Sequence, residues 1–150
     1  MKHFLISGLA LCFLSSCGAP EETTAGMAPV KNYSWSMVTT WPKNYPGLGM
    51  APERFSQLVE DMSQGQLKVT VYGAGELVPA MGVFDAVSGG SVEMGHGGAY
   101  YWKGKVPAAQ FFAGVPFGFT ADEINAWVNR GGGLELWEDL YRPFNLKPLP

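Results

Sequence analysis

The chain has 150 residues, enough for one domain with a real core, and carries 10 basic against 13 acidic side chains for a formal net charge of -3. Lys and Arg are scattered without a basic stripe, which excludes a nucleic-acid partner, and no apolar run reaches membrane-spanning length. At 47% hydrophobic and 15% charged, with 20 Gly and 11 Pro, the sequence reads as a turn-rich globular unit.

Residues 1–16 read as a signal peptide. Met1-Lys2-His3 is a short basic start, and Phe4 to Leu14 is an apolar run of secretory length. Leu14-Ser15-Ser16-Cys17 then resembles a bacterial lipobox, in which cleavage makes Cys17 the lipidated N-terminus. A plain signal peptide with an incidental cysteine is the alternative. Cys12 falls inside the removed segment, so the mature chain has no disulfide to form. Residues 17–32 are small, polar and Pro-containing, and read as a lipidated tether. The expected address is periplasmic, held at a membrane by the lipid.

The folded part is expected over residues 33–150. Tyr33 to Trp41 is β-branched and aromatic, a strand that Pro42 stops. Ala51 to Gln64 is a helix, with Phe55, Leu58, Val59 and Met62 on one apolar face and Gly65 as its C-terminal cap. Leu67, Val69 and Val71 alternate with polar residues in a second strand, Leu67 to Tyr72. Pro79 opens a helix with Ala80, Phe84 and Val87 facing inward, and Gly89-Gly90 ends it. Ser91 to Met94 is a short third strand. Thr120 and Glu123 form a capping box for a helix stopped by Gly131, and Leu134 to Tyr141 is a last helix ended by Pro143. Strands alternating with helices argue an α/β fold with a largely parallel sheet. In such sheets ligands sit outside the carboxyl ends of the strands. Here those ends are Trp41-Pro42, Gly73 to Glu76 and Gly95 to Tyr101.

The stretch Val92 to Phe119 sets aromatic residues among glycines, the composition of a ligand cleft lip or of a core loop. Tyr100, Tyr101 and Trp102 are its strongest signal. With Trp41 and Phe117 they are candidates to line an apolar pocket for a small anion. Strand alternation would turn only one of Tyr100 and Tyr101 to the cleft. Lys103 and Lys105 are candidates to draw in anions or ordinary surface lysines. Glu76 and Glu93 are candidate acid–base carboxylates, each without a second carboxylate nearby in sequence. His96 is the lone histidine after the leader, which argues against a histidine metal site, and no G-x-S-x-G elbow supports hydrolase chemistry for His96-Gly97-Gly98.

Taken together, SWSMVTTWP, the helix after GMAPERF, LKVTVYGAGELVPAMGVFDAVSGGSVEMGH, AYYWKGKVPAAQFF, VPFGFTADEINAWV and GGGLELWEDLYRPFNLKPLP resemble a known family. It is the DctP family, the solute receptors of tripartite ATP-independent periplasmic (TRAP) transporters, in its 2-oxoacid and monocarboxylate branch. The motifs run in the same order at matching spacing from Tyr33 to Pro150.

The resemblance implies a two-lobed, periplasmic-binding-protein-like receptor. It would capture a small carboxylate such as pyruvate and hand it to TRAP membrane permease subunits, without catalysis. It implies that residues 33–150 are the first lobe and the start of the crossover. The clamping arginine and the ligands for a metal cation, typically sodium, then lie past Pro150, and no cofactor is expected in the chain itself. Trp41, Tyr100, Tyr101 and Phe117 would form the aromatic side of the cleft, and a homodimer is left open. A secreted lipoprotein enzyme (hydrolase or isomerase) and a structural lipoprotein are the rival readings.

Overall fold

In a computed structural model of the protein, residues 31–150 are described. The signal peptide, Cys17 and the tether up to Val30 lie outside the described residues. The first strand, β1 (Tyr33–Thr39), ends two residues earlier than its sequence suggests. It lies at the centre of a three-stranded sheet, paired in parallel with β2 (Leu67–Tyr72) on one side and β3 (Met94–His96) on the other. The fold is α/β with a parallel sheet, as the alternation of elements requires.

Period-two geometry sorts the core onto the two faces of β1. Met37 meets Val69 and Val71, with Val59 of helix α1 (Met50–Met62) packed against them. Val38 points the other way, into a larger cluster with Val83, Phe84, Trp102, Val106 and Tyr141. Helix α1 docks on β2 partly through Ser56, whose hydroxyl donates to the Val69 carbonyl at 2.5 Å. The four-residue apolar face expected on α1 is only partly used. Val59 packs, but Phe55 and Leu58 are exposed and Met62 is 84% exposed.

After β2 the chain departs from expectation in phase. A 3-10 turn, Ala80–Gly82, precedes helix α2 (Val83–Ser88). The 3-10 turn, with three residues per turn instead of 3.6, shifts the buried face: Val83, Phe84 and Ala86 are buried, the expected Val87 packs half-buried against the same core, and Ala80 is only half-buried. The third strand also begins later than expected. Val92 is spent in the core, and the ladder with β1 starts only at Met94, opposite Met37.

Two further 3-10 helices follow, Ala99–Trp102 and Pro107–Phe112. Helix α3 (Ala121–Arg130) starts at the expected capping box: Glu123 N–H donates to Thr120 Oγ1 at 3.4 Å, and Thr120 N–H donates to Glu123 Oε2 at 2.8 Å. Helix α4 (Gly133–Tyr141) completes the set. Phe112 stacks against Trp127 of α3 at 5.5 Å and Trp137 of α4 at 5.0 Å, which ties the two helices together. Ser88 donates to the Phe144 carbonyl at 2.6 Å, fastening the C-terminal turn to α2. Among the described residues no helix is long and apolar enough to cross a membrane.

Candidate ligand site

The three strands finish at one edge. Thr40 N–H donates to the His96 carbonyl at 2.9 Å, and Ala74 N–H donates to the Trp41 carbonyl at 3.0 Å. The loops that leave the strands are thereby held together for a few residues past the ladder. On this edge the half-buried Trp41 ring lies 5.0 Å from the His96 ring and 6.0 Å from Tyr101, and Tyr101 lies 4.5 Å from Tyr100. Three of the four sequence-selected residues, Trp41, Tyr100 and Tyr101, are therefore brought into one aromatic wall.

Phe117 is not paired with any of these rings. It is fully exposed, with a left-handed φ of 60°, and borders a separate depression with Phe111, Phe119 and Trp127. Trp102, grouped with the tyrosines in sequence, is buried in the core against Phe84 at 5.6 Å.

The expected alternation between Tyr100 and Tyr101 does not hold. Both lie in a 3-10 helix rather than a strand, so a third of a turn, not a half, separates them. Tyr100 is the more exposed ring and Tyr101 is half-buried. Tyr100 folds back over Gly98, where an added Cβ would come within 2.7 Å of Tyr100 Cε1. The neighbouring Tyr101 hydroxyl, and burial after it, raise the Tyr100 phenol above its ordinary value, so it stays a neutral O–H donor at pH 7.

His96 and Thr39 add a polar pair that the sequence had not marked as part of the site. Trp41 N–H donates to the buried Thr39 Oγ1 at 3.0 Å, and the same hydroxyl lies 3.5 Å from His96 Nδ1. His96 Nε2 has no protein partner among the described residues. Burial lowers the His96 pKa and keeps the ring neutral. The signal available in sequence was the polar Thr39 at an inward strand position, opposite a histidine one strand away.

The candidate acid–base groups are otherwise engaged. Glu76 accepts from Gly73 N–H at 2.9 Å and pairs with Lys43 at 3.2 Å, contacts that lower its pKa, the backbone bond first. Glu93 accepts from Ser36 N–H at 2.7 Å. Lys105 binds the Asp85 carboxylate at 2.5 and 2.7 Å, away from any anion site. No three His, Cys, Asp or Glu residues converge among the described residues. What the edge offers is apolar ring surface with neutral O–H and N–H donors, suited to a small, flat, polar molecule.

Residues 37–149 match the family model of the bacterial extracellular solute-binding proteins, family 7 (DctP). The chain belongs to that family. Among DctP proteins it is 41% identical, over 91% of its own length and 37% of the relative's, to a monocarboxylate 2-oxoacid-binding periplasmic protein of Nostoc sp.. A TRAP periplasmic solute-binding protein from Pseudoalteromonas atlantica, solved with bound sodium and pyruvate, superposes with a TM-score of 0.74 at 41% identity, over 76% of this chain and 35% of that one. One from Colwellia psychrerythraea, with bound calcium and pyruvate, gives 0.74 at 39% identity over 76% and 35%. The chain thus spans little more than a third of the length of the relatives it matches.

Proposed function

We propose that this DctP-family chain forms the aromatic wall of a receptor for a small 2-oxoacid such as pyruvate, which it delivers to the membrane subunits of a TRAP transporter without catalysis. The observation that carries the reading is the convergence of Trp41, His96, Tyr100 and Tyr101 at the carboxyl ends of the parallel strands. Ligands of α/β sheets collect at that edge. The pyruvate-bound relatives support the choice of ligand, and the sodium or calcium also bound in them supports a cation accompanying it in a receptor-length chain. Cation ligands would come from outside the described residues. The engagement of Glu76 and Glu93 by backbone amides supports binding over acid–base chemistry.

The tyrosines test the site in a receptor-length chain, one that carries these residues within the full length typical of the relatives. Tyr100→Phe and Tyr101→Phe each remove one hydroxyl, and at least one of them should weaken pyruvate binding by about 0.5–1.5 kcal/mol, roughly 2- to 12-fold. Unchanged affinity in both removes the tyrosines from the site. Phe117→Ala should leave affinity unchanged if its separate depression is not part of the pocket. The reading also anchors the protein through a lipid on Cys17. Cys17→Ser should then appear in the soluble fraction of cells, and retention at the membrane would exclude the lipid anchor.

A further inference from the structure

The last residue of β1 carries a hydroxyl into the interior. Thr39 is 1% exposed, and period-two geometry puts it on the strand face that also holds Met37. Its register partner is His96, the last residue of β3, so the two side chains leave the ladder side by side on one face. Both contacts of this hydroxyl among the described residues go to the aromatic edge. Thr39 Oγ1 accepts from Trp41 N–H at 3.0 Å and lies 3.5 Å from His96 Nδ1.

Trp41 has no ladder to hold it. The pairing of β1 with β2 ends at Val38 opposite Tyr72, and the pairing with β3 ends at Thr39. Pro42 follows, with no N–H to donate. The Trp41 backbone is fixed instead at two points. The Thr39 hydroxyl, two residues back, holds its N–H, and Ala74 N–H holds its carbonyl at 3.0 Å. The hydroxyl that holds Trp41 is thus the one beside His96, whose ring lies 5.0 Å from the Trp41 ring. Packing alone does not call for a hydroxyl here. Met37, on the same face, is 4% exposed and fills its place with apolar contacts. A buried hydroxyl costs desolvation that only its bonds offset, and at Thr39 those bonds belong to the edge.

We propose that Thr39 is the positioning residue of this edge. Its hydroxyl ties the turn that carries Trp41 to the end of β3 that carries His96, and so sets the two rings against each other before a ligand arrives. Buried as it is, Thr39 touches no ligand itself and acts through those two residues. A wall already in its bound arrangement has less side-chain freedom to lose on capture, so the tie raises affinity without adding a contact. Thr39→Val removes the acceptor, leaves Trp41 N–H unpaired and frees the turn as far as the Ala74 bond. Thr39→Ser keeps the hydroxyl and drops only the methyl group. The effect on capture rests on the reading of this edge as the wall of a 2-oxoacid pocket, whereas the tie itself is a matter of geometry.

Two measurements on a receptor-length chain test it. The first is pyruvate affinity, which Thr39→Val should weaken about 3- to 10-fold and Thr39→Ser should hold within about 2-fold of wild type. The second is NMR of the ligand-free protein. The His96 ring protons, assigned with His96→Gln, should carry a ring-current displacement that Trp41→Ala removes, that Thr39→Val reduces and that Thr39→Ser keeps. In wild type the Trp41 amide should exchange at least about 10-fold more slowly than in the unfolded chain. A fast Trp41 amide in wild type overturns the proposal without any variant, even if Thr39→Val fails to fold. Equal loss in Thr39→Val and Thr39→Ser overturns it too, since packing of the methyl group would then be the cause. In a chain that binds pyruvate, a change in affinity without a change in the His96 signals, or the reverse, overturns it. If no 2-oxoacid binds to wild type, the receptor reading falls, and the tie stands or falls on the His96 and Trp41 signals alone.

Discussion

Gly98 and Tyr100 show how single residues shape the edge. The Tyr100 ring lies where a Cβ on Gly98 would be, so Gly98→Ala must displace an exposed ring that is free to swing. Pyruvate affinity in a receptor-length chain should fall several-fold, while unfolding free energy changes by less than about 0.5 kcal/mol, as for other surface changes. A large stability loss without an affinity loss would show that the contact is structural. His96 makes a pH prediction. Burial sets its folded pKa below its unfolded value of 6.5, so the folded state favours the neutral ring. Its contribution is fully present above that unfolded value and is lost as pH falls through the lower folded pKa. His96→Gln keeps a polar group near the position of Nε2 and cannot titrate. Denaturation midpoints of the two proteins should therefore converge as pH drops from 7 to about 5. Parallel pH profiles would contradict the burial of the imidazole. The sequence marked Trp41, Tyr100 and Tyr101 because aromatics at strand ends stand out, but it hid Thr39, whose part depends on a histidine 57 positions away.

At the scale of elements, what was legible was local. The second strand matched residue for residue because its alternation needs only its own six side chains. The α3 start matched because a capping box is a four-residue device, here fully formed. Thr120→Ala should therefore cost about 1 kcal/mol in chemical denaturation, with Thr120→Ser close to wild type. A cost near zero would mean that α3 is held by the Trp127–Phe112 stack alone. What was not legible depended on phase and register. The 3-10 turn ahead of α2 rotated its buried face, and the 3-10 helix at Tyr100 removed the alternation expected there. The late start of β3 is set by where β1 runs beside it, a non-local fact that no window of sequence contains.

At the scale of the whole molecule, the fold class, the parallel sheet and the family were readable, since strand and helix periods and ordered motifs carry them. Surface completeness was not. The apolar face of α1 reads as core in the sequence, yet Phe55, Leu58 and Met62 remain exposed in residues 31–150, as does Trp35. The central claim is that a chain with this aromatic edge captures a 2-oxoacid, and isothermal titration of pyruvate into a receptor-length protein, with and without sodium, tests it most directly. The account predicts saturable one-to-one binding that Trp41→Ala weakens. Absence of binding by pyruvate and other small 2-oxoacids under both conditions, in a folded receptor-length protein, would contradict it.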